Sequence, residues 1–140
     1  MDRTRERYYR GLFWVAAVYD LSLGVAFTFF GRQVFDMLGI GDQYPSGGYV
    51  PLIGAFLFVI GVAYVLIARG DLYRNVDLIT VGILYKFAYA AIAMVFWALG
   101  EAPHISFALF GVADAVFFVL MAECLAFLRR HPKVVLSPAV

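Results

Sequence analysis

The chain has 140 residues, 64% of them hydrophobic, and a mean hydropathy of +0.84. A soluble domain is roughly 45–50% apolar, so this composition excludes an ordinary soluble fold, and the length suits one domain spanning 1–140. A net charge of +1 gives no bulk attraction to nucleic acid, and a single cysteine, Cys124, excludes an intrachain disulfide, a CxxC dithiol and a Cys/His metal motif.

Four segments reach the length of about 20 residues that a bilayer requires: 11–30, 51–69, 78–99 and 104–128. The first follows MDRTRERYYR, but it is too long for a signal-peptide core, contains Asp20 and lacks a small-residue cleavage pattern, so it reads as an uncleaved span. Gly31, Gly70 and Gly100 stand just past the first three spans, where a helix end favours a left-handed residue. Pro51 and Pro103 open the second and fourth, where a missing N–H does no harm. Asp77 is placed to cap the third, and Pro132 to stop the fourth. Between the first two spans, RQVFDMLGI carries Val34, Phe35, Leu38 and Ile40 at helical spacing, which predicts either a short interfacial helix or a plain connector. The turn-rich GDQYPSGGY follows it.

Orientation follows from the basic residues. Nine of the eleven Lys and Arg fall at one end of the spans: Arg3, Arg5, Arg7, Arg10, Arg69, Arg74, Arg129, Arg130 and Lys133. The positive-inside rule places both termini in the cytoplasm, with Tyr8, Tyr9, Trp14 and Tyr73 at the inner interface and Tyr44, Tyr49 and Trp97 at the outer one. The expected fold is therefore all-α, a polytopic four-transmembrane-helix bundle in a bacterial inner membrane, with no nucleic-acid partner.

The remaining charges carry the chemistry. Counting along the helices, Asp20 lies about nine residues into its span, Lys86 about eight, and Asp114 about ten from the opposite end, so all three reach the midplane. Each costs roughly 2.5–3.5 kcal/mol facing lipid, which favours turning them inward against one another. Small residues beside them, Ala16, Ala17 and Gly24, Gly82, Ala90 and Ala93, and Gly111, permit close helix approach. Tyr64 and Tyr89 bring hydroxyls to similar depth. Two aspartates and one lysine sum to a formal −1, so one aspartate holds a proton or a ligand group enters. The site reads as binding a proton or a small lipid-soluble molecule, or alternatively as an ion pair that fixes helix register. Glu123, on the opposite face of its helix, is expected to reach Arg10 or Arg69.

The two halves of the chain also match weakly. Tyr19-Asp20 aligns on Tyr85-Lys86 and Pro51 on Pro103, as a parallel repeat does. No Ser/His/Asp or Cys/His set lies within the spans, so an enzyme is the least supported class. His104 reads as a solvated interfacial residue rather than a haem ligand, and Asp36, Asp42, Glu101 and His104 lack metal spacing.

With its four spans, longer first outer loop and the texture of GVAYVLIARGDLYRN followed by VGILYKF, the chain resembles the DoxX-like group of small bacterial four-helix membrane proteins. That resemblance implies a small subunit linked to quinone-dependent respiratory or periplasmic redox systems. Thiol chemistry of the related methylamine-utilisation type does not carry over to a chain with one cysteine. The chain is also similar in size and span count to the small multidrug transporters, where an acidic residue in the first helix exchanges protons for cationic drugs. Asp20 stands in a comparable place, and Lys86 departs from that pattern. Three roles are therefore open: a module binding a quinone-like molecule or proton, an accessory subunit of a larger membrane complex, and a proton-coupled transporter acting as a homodimer.

Overall fold

The computed structural model describes residues 3–132. Lys133, counted above among the basic residues, lies outside them. The described residues form four α-helices: α1 (Arg3–Met37), α2 (Tyr49–Arg69), α3 (Val76–Ala98) and α4 (Ile105–Arg130). Short 3-10 turns occupy Gly41–Gln43 and Leu72–Asn75. All four helices are long and apolar enough to cross a membrane, and their outer faces carry bare hydrophobic side chains such as Phe29, Val15, Leu84 and Val119. An apolar exterior around an apolar interior is the pattern of an integral membrane protein, because lipid and core make the same demand on a side chain.

The first helix departs from expectation. It does not stop at Gly31 but runs to Met37 through a kink at Phe30, whose dihedrals (φ −127°, ψ 18°) leave the helical range. Gly31 serves close approach instead: a methyl group there would lie 2.7 Å from Cγ1 of Val50. The segment expected as an interfacial helix or a connector is therefore the bent end of α1, and Arg32 lies on it rather than in a loop. Helix termination falls to Gly39 (φ 73°). The Gly39 N–H donates to Asp36 O and the Ile40 N–H to Phe35 O, a Schellman closure that satisfies the last carbonyls.

Gly100 ends α3 by the same device, with φ 74° and an Glu101 N–H to Phe96 O bond. Gly70 does not, since its backbone is extended (φ −83°, ψ −173°) while its N–H donates to Leu66 O. The acid that organises the turn into α3 is Asp71 rather than Asp77. Its carboxylate accepts from the Tyr73 N–H at 2.9 Å, and Asp77 sits in the first turn of the helix. Pro51 occupies the first turn of α2. Pro103 stands one residue before the α4 N-cap, His104, whose ring nitrogen accepts from the Ser106 N–H. His104 is thus a half-buried capping residue, not simply a solvated one.

α1 packs chiefly against α2, and α3 against α4. Where α1 meets α2, glycine faces glycine. A methyl on Gly24 would lie 2.7 Å from the Phe58 nitrogen, and one on Gly54 2.5 Å from the Thr28 nitrogen. Where α3 meets α4, a methyl on Gly111 would lie 2.7 Å from the Ala93 Cβ. In lipid, association rests on such backbone approach and on van der Waals packing. Two apolar cores result. One lies at the end that holds both helix termini Arg3 and Arg130 and contains Phe13, Tyr64, Ile67, Ile79, Met121 and Cys124, all fully buried. The other lies at the opposite end and contains Phe27, Phe35, Ile40, Val50 and Leu57.

At the terminal end the polar groups pair locally. Arg10 holds Glu6 at 2.9 Å and donates to Ala68 O at 2.7 Å. Arg5 lies 4.8 Å over the Phe127 ring. Glu123 meets neither Arg10 nor Arg69; its carboxylate accepts from the Tyr9 hydroxyl at 3.2 Å. Arg10 is held by α1's own glutamate and the end of α2, which removes it from reach.

Candidate functional site: a buried lysine between two aspartates

Asp20 on α1, Lys86 on α3 and Asp114 on α4 converge. The Lys86 ammonium donates to Asp20 Oδ1 at 2.7 Å and to Asp114 Oδ1 at 2.8 Å. Lys86 and Asp20 are fully buried and Asp114 is 3% exposed. One lysine therefore ties three helices across a single layer. Small residues place it there: Ala16 and Ala17 precede Asp20 on a buried face, and Gly82 and Ala90 flank Lys86 by one turn on either side.

The rest of the ammonium is wrapped in aromatic rings. Its nitrogen stands 4.8 Å from the Tyr19 ring centroid, 5.2 Å from Phe117, 5.5 Å from Tyr85 and 5.8 Å from Tyr64. Ring faces are electronegative and attract a desolvated cation, so the third N–H direction is answered without another oxygen. Sequence reasoning singled out Tyr64 but missed Tyr19, Tyr85 and Phe117. The available signal was spacing: Tyr19 and Tyr85 each precede a buried charge by one residue, and Phe117 follows Asp114 by one helical turn.

The two tyrosines expected at the site behave differently. Tyr64 does not bond to a charge. Its hydroxyl donates to the Gly82 carbonyl at 3.1 Å, and its ring fills the space a side chain at Gly82 would need, 2.6 Å from a methyl there. It thereby holds α2 against α3 and presents a ring to Lys86. Tyr89 lines a cavity of about 200 Å³ together with Tyr19, Tyr85, Phe110 and both aspartates. The cavity lies between the charged layer and the second apolar core, with Phe27 and Leu57 among its walls. Both aspartates form part of the cavity wall, and Lys86 lies outside it.

Asp20 is only half satisfied. Its Oδ1 receives Lys86, while Oδ2 is buried with no hydrogen-bond partner among the described residues. An unanswered buried carboxylate oxygen is costly in a low-dielectric interior. Among the described residues no group of three or more His, Cys, Asp or Glu side chains is placed to hold a metal ion. Cys124 is fully buried in the core at the terminal end, away from the cavity lining.

In comparisons with known proteins, no family model, no curated protein and no solved structure matches the chain.

Proposed function

We propose that the protein is a small binding module of a bacterial cytoplasmic membrane, with both termini inside, that holds a quinone-like lipid-soluble molecule against the Asp20–Lys86–Asp114 layer. The observation that carries this reading is the cavity. It is an apolar and aromatic space with two aspartates in its wall, the composition expected of a small-molecule site. A purely architectural ion pair needs no such space beside it. The likeness to the DoxX-like group, noted from texture and span pattern, points in the same direction.

Native mass spectrometry of protein extracted in mild detergent tests the proposal. A small-molecule adduct is expected on the wild type. The adduct is expected to vanish in Leu57→Trp, which fills the cavity from a wall residue 8% exposed without touching the charges. An adduct-free wild type that instead carries a stoichiometric protein subunit favours the accessory role and overturns the binding reading.

A further inference from the structure

Resting on that reading, we infer that the site selects a single-ring ligand with a hydrogen-bond-donor head: a phenol or hydroquinone rather than the corresponding quinone. A positively charged lysine in a membrane cavity would ordinarily predict the opposite, since an ammonium donates to a carbonyl. Here Lys86 is spent. Its donors go to Asp20 and Asp114 at 2.7 and 2.8 Å, aromatic rings cover the remainder, and it does not line the cavity. The tyrosine hydroxyls in the cavity wall donate or accept, whereas its charged groups, the two aspartates, only accept when ionised.

Asp20 Oδ2 is the acceptor without a partner, and Asp20 lines the cavity. A hydroxyl that displaces the wall enough to reach this closed-off oxygen gains a charge-assisted hydrogen bond. A quinone carbonyl brought to the same place sets two electronegative oxygens together, which is repulsive.

Size and shape agree. The volume is about 200 Å³, and a dry cavity of about 150 Å³ suffices for benzene. One substituted ring fits, and a fused ring system with several substituents does not. Tyr19, Tyr85 and Phe110 supply ring faces and edges against which an aromatic head packs. A second cavity of about 240 Å³ adjoins the first, sharing Phe27, Ile53 and Phe107 and extending to Gln43 and Pro45 of the loop after α1. An apolar tail on the ring leaves by this route.

The test uses purified full-length protein in detergent under anaerobic conditions, titrated with trimethylhydroquinone, trimethylbenzoquinone and the dimethyl ether of the hydroquinone. The hydroquinone is expected to bind about tenfold tighter than either of the others, the increment of one charge-assisted hydrogen bond. In Asp20→Asn the carbonyl oxygen keeps Lys86, so the amide N–H takes the place of Oδ2. The preference is then expected to fall to within about threefold or to turn toward the quinone.

Equal or tighter binding of the quinone by the wild type overturns the inference and leaves the lipophilic site standing. A hydroquinone preference that persists in Asp20→Asn overturns the assignment to Asp20. Binding of a lipophilic cation such as tetraphenylphosphonium in place of all three rings overturns the donor assignment. Failure to bind any of these compounds, with no native adduct, removes the binding reading as well. The wild-type series decides the question even where Asp20→Asn does not fold.

Discussion

Replacing Lys86 by methionine isolates the energetics of the charged layer. Methionine keeps the length and apolar stem of the side chain and removes the ammonium. Two carboxylates that each sat within 2.8 Å of a cation are left facing one another in a site at most 3% exposed. Removing one partner of a buried pair costs about 3–5 kcal/mol, and here one substitution breaks two pairs. For a chain of 140 residues that corresponds to a fall in Tm of roughly 10–20 °C.

The same reasoning makes a less intuitive claim about the triple variant Asp20→Asn/Lys86→Met/Asp114→Asn. With every charge removed, the desolvation penalty goes too, and stability is expected to return to within about 1 kcal/mol of the wild type or exceed it. Both variants are read in one detergent by scanning fluorimetry on Trp14 and Trp97, which lie on α1 and α3 and outside the layer. A Lys86→Met protein that melts with the wild type, or a triple variant no better than the single, would refute the account of the lysine as the counter-ion of both aspartates.

Glycine substitutions are expected to divide by place. Gly54→Ala sets a methyl 2.5 Å from the Thr28 backbone and should cost about 1–3 kcal/mol, seen as a lower Tm. Gly11→Ala, which meets nothing within 4 Å, should hold or gain about 0.5–1 kcal/mol through helix propensity. Gly82→Ala collides with the Tyr64 ring at 2.6 Å, so it should lower the Tm and also weaken ligand retention, whereas Tyr64→Phe, which loses the bond to Gly82 O but keeps the ring, should be milder on both. Cys124, fully buried, should resist maleimide in the folded protein and react stoichiometrically after unfolding, as intact mass will show. In whole cells of a Cys124→Ala background, an impermeant maleimide should label Ser46→Cys and spare Thr4→Cys; the reverse pattern inverts the proposed orientation.

Much of this architecture is written in hydropathy and depth. The spans beginning near Pro51, Leu78 and His104 fall within two residues of the starts of α2, α3 and α4, because an apolar run in a membrane has one way to satisfy its backbone. Counting residues put Asp20, Lys86 and Asp114 at one level, and the high cost of leaving them in lipid then dictated that they meet. Local punctuation was less legible. Gly31 and Gly39 look alike in sequence, yet only Gly39 takes the left-handed conformation that ends α1, while Gly31 makes room for Val50. That choice depends on α2, which a local reading does not contain. The same holds for the ring cage around Lys86. Fourteen phenylalanines and nine tyrosines give no hint of which few face the ammonium until the helices are rotated against one another. Glu123 went to Tyr9 because tertiary packing brought α1 and α4 together at their ends, not because a nearby arginine was lacking.

The asymmetry of the two cores has a consequence for traffic. Below the charged layer, toward the termini, Phe13, Tyr64, Ile67, Ile79 and Met121 form a plug with no exposed surface. Above it lie the two adjoining cavities. The bundle is thus closely filled on one side of the charged layer and hollowed on the other. Any passage from Asp20 toward the termini would have to part these fully buried side chains, whereas the other side of the layer already holds space.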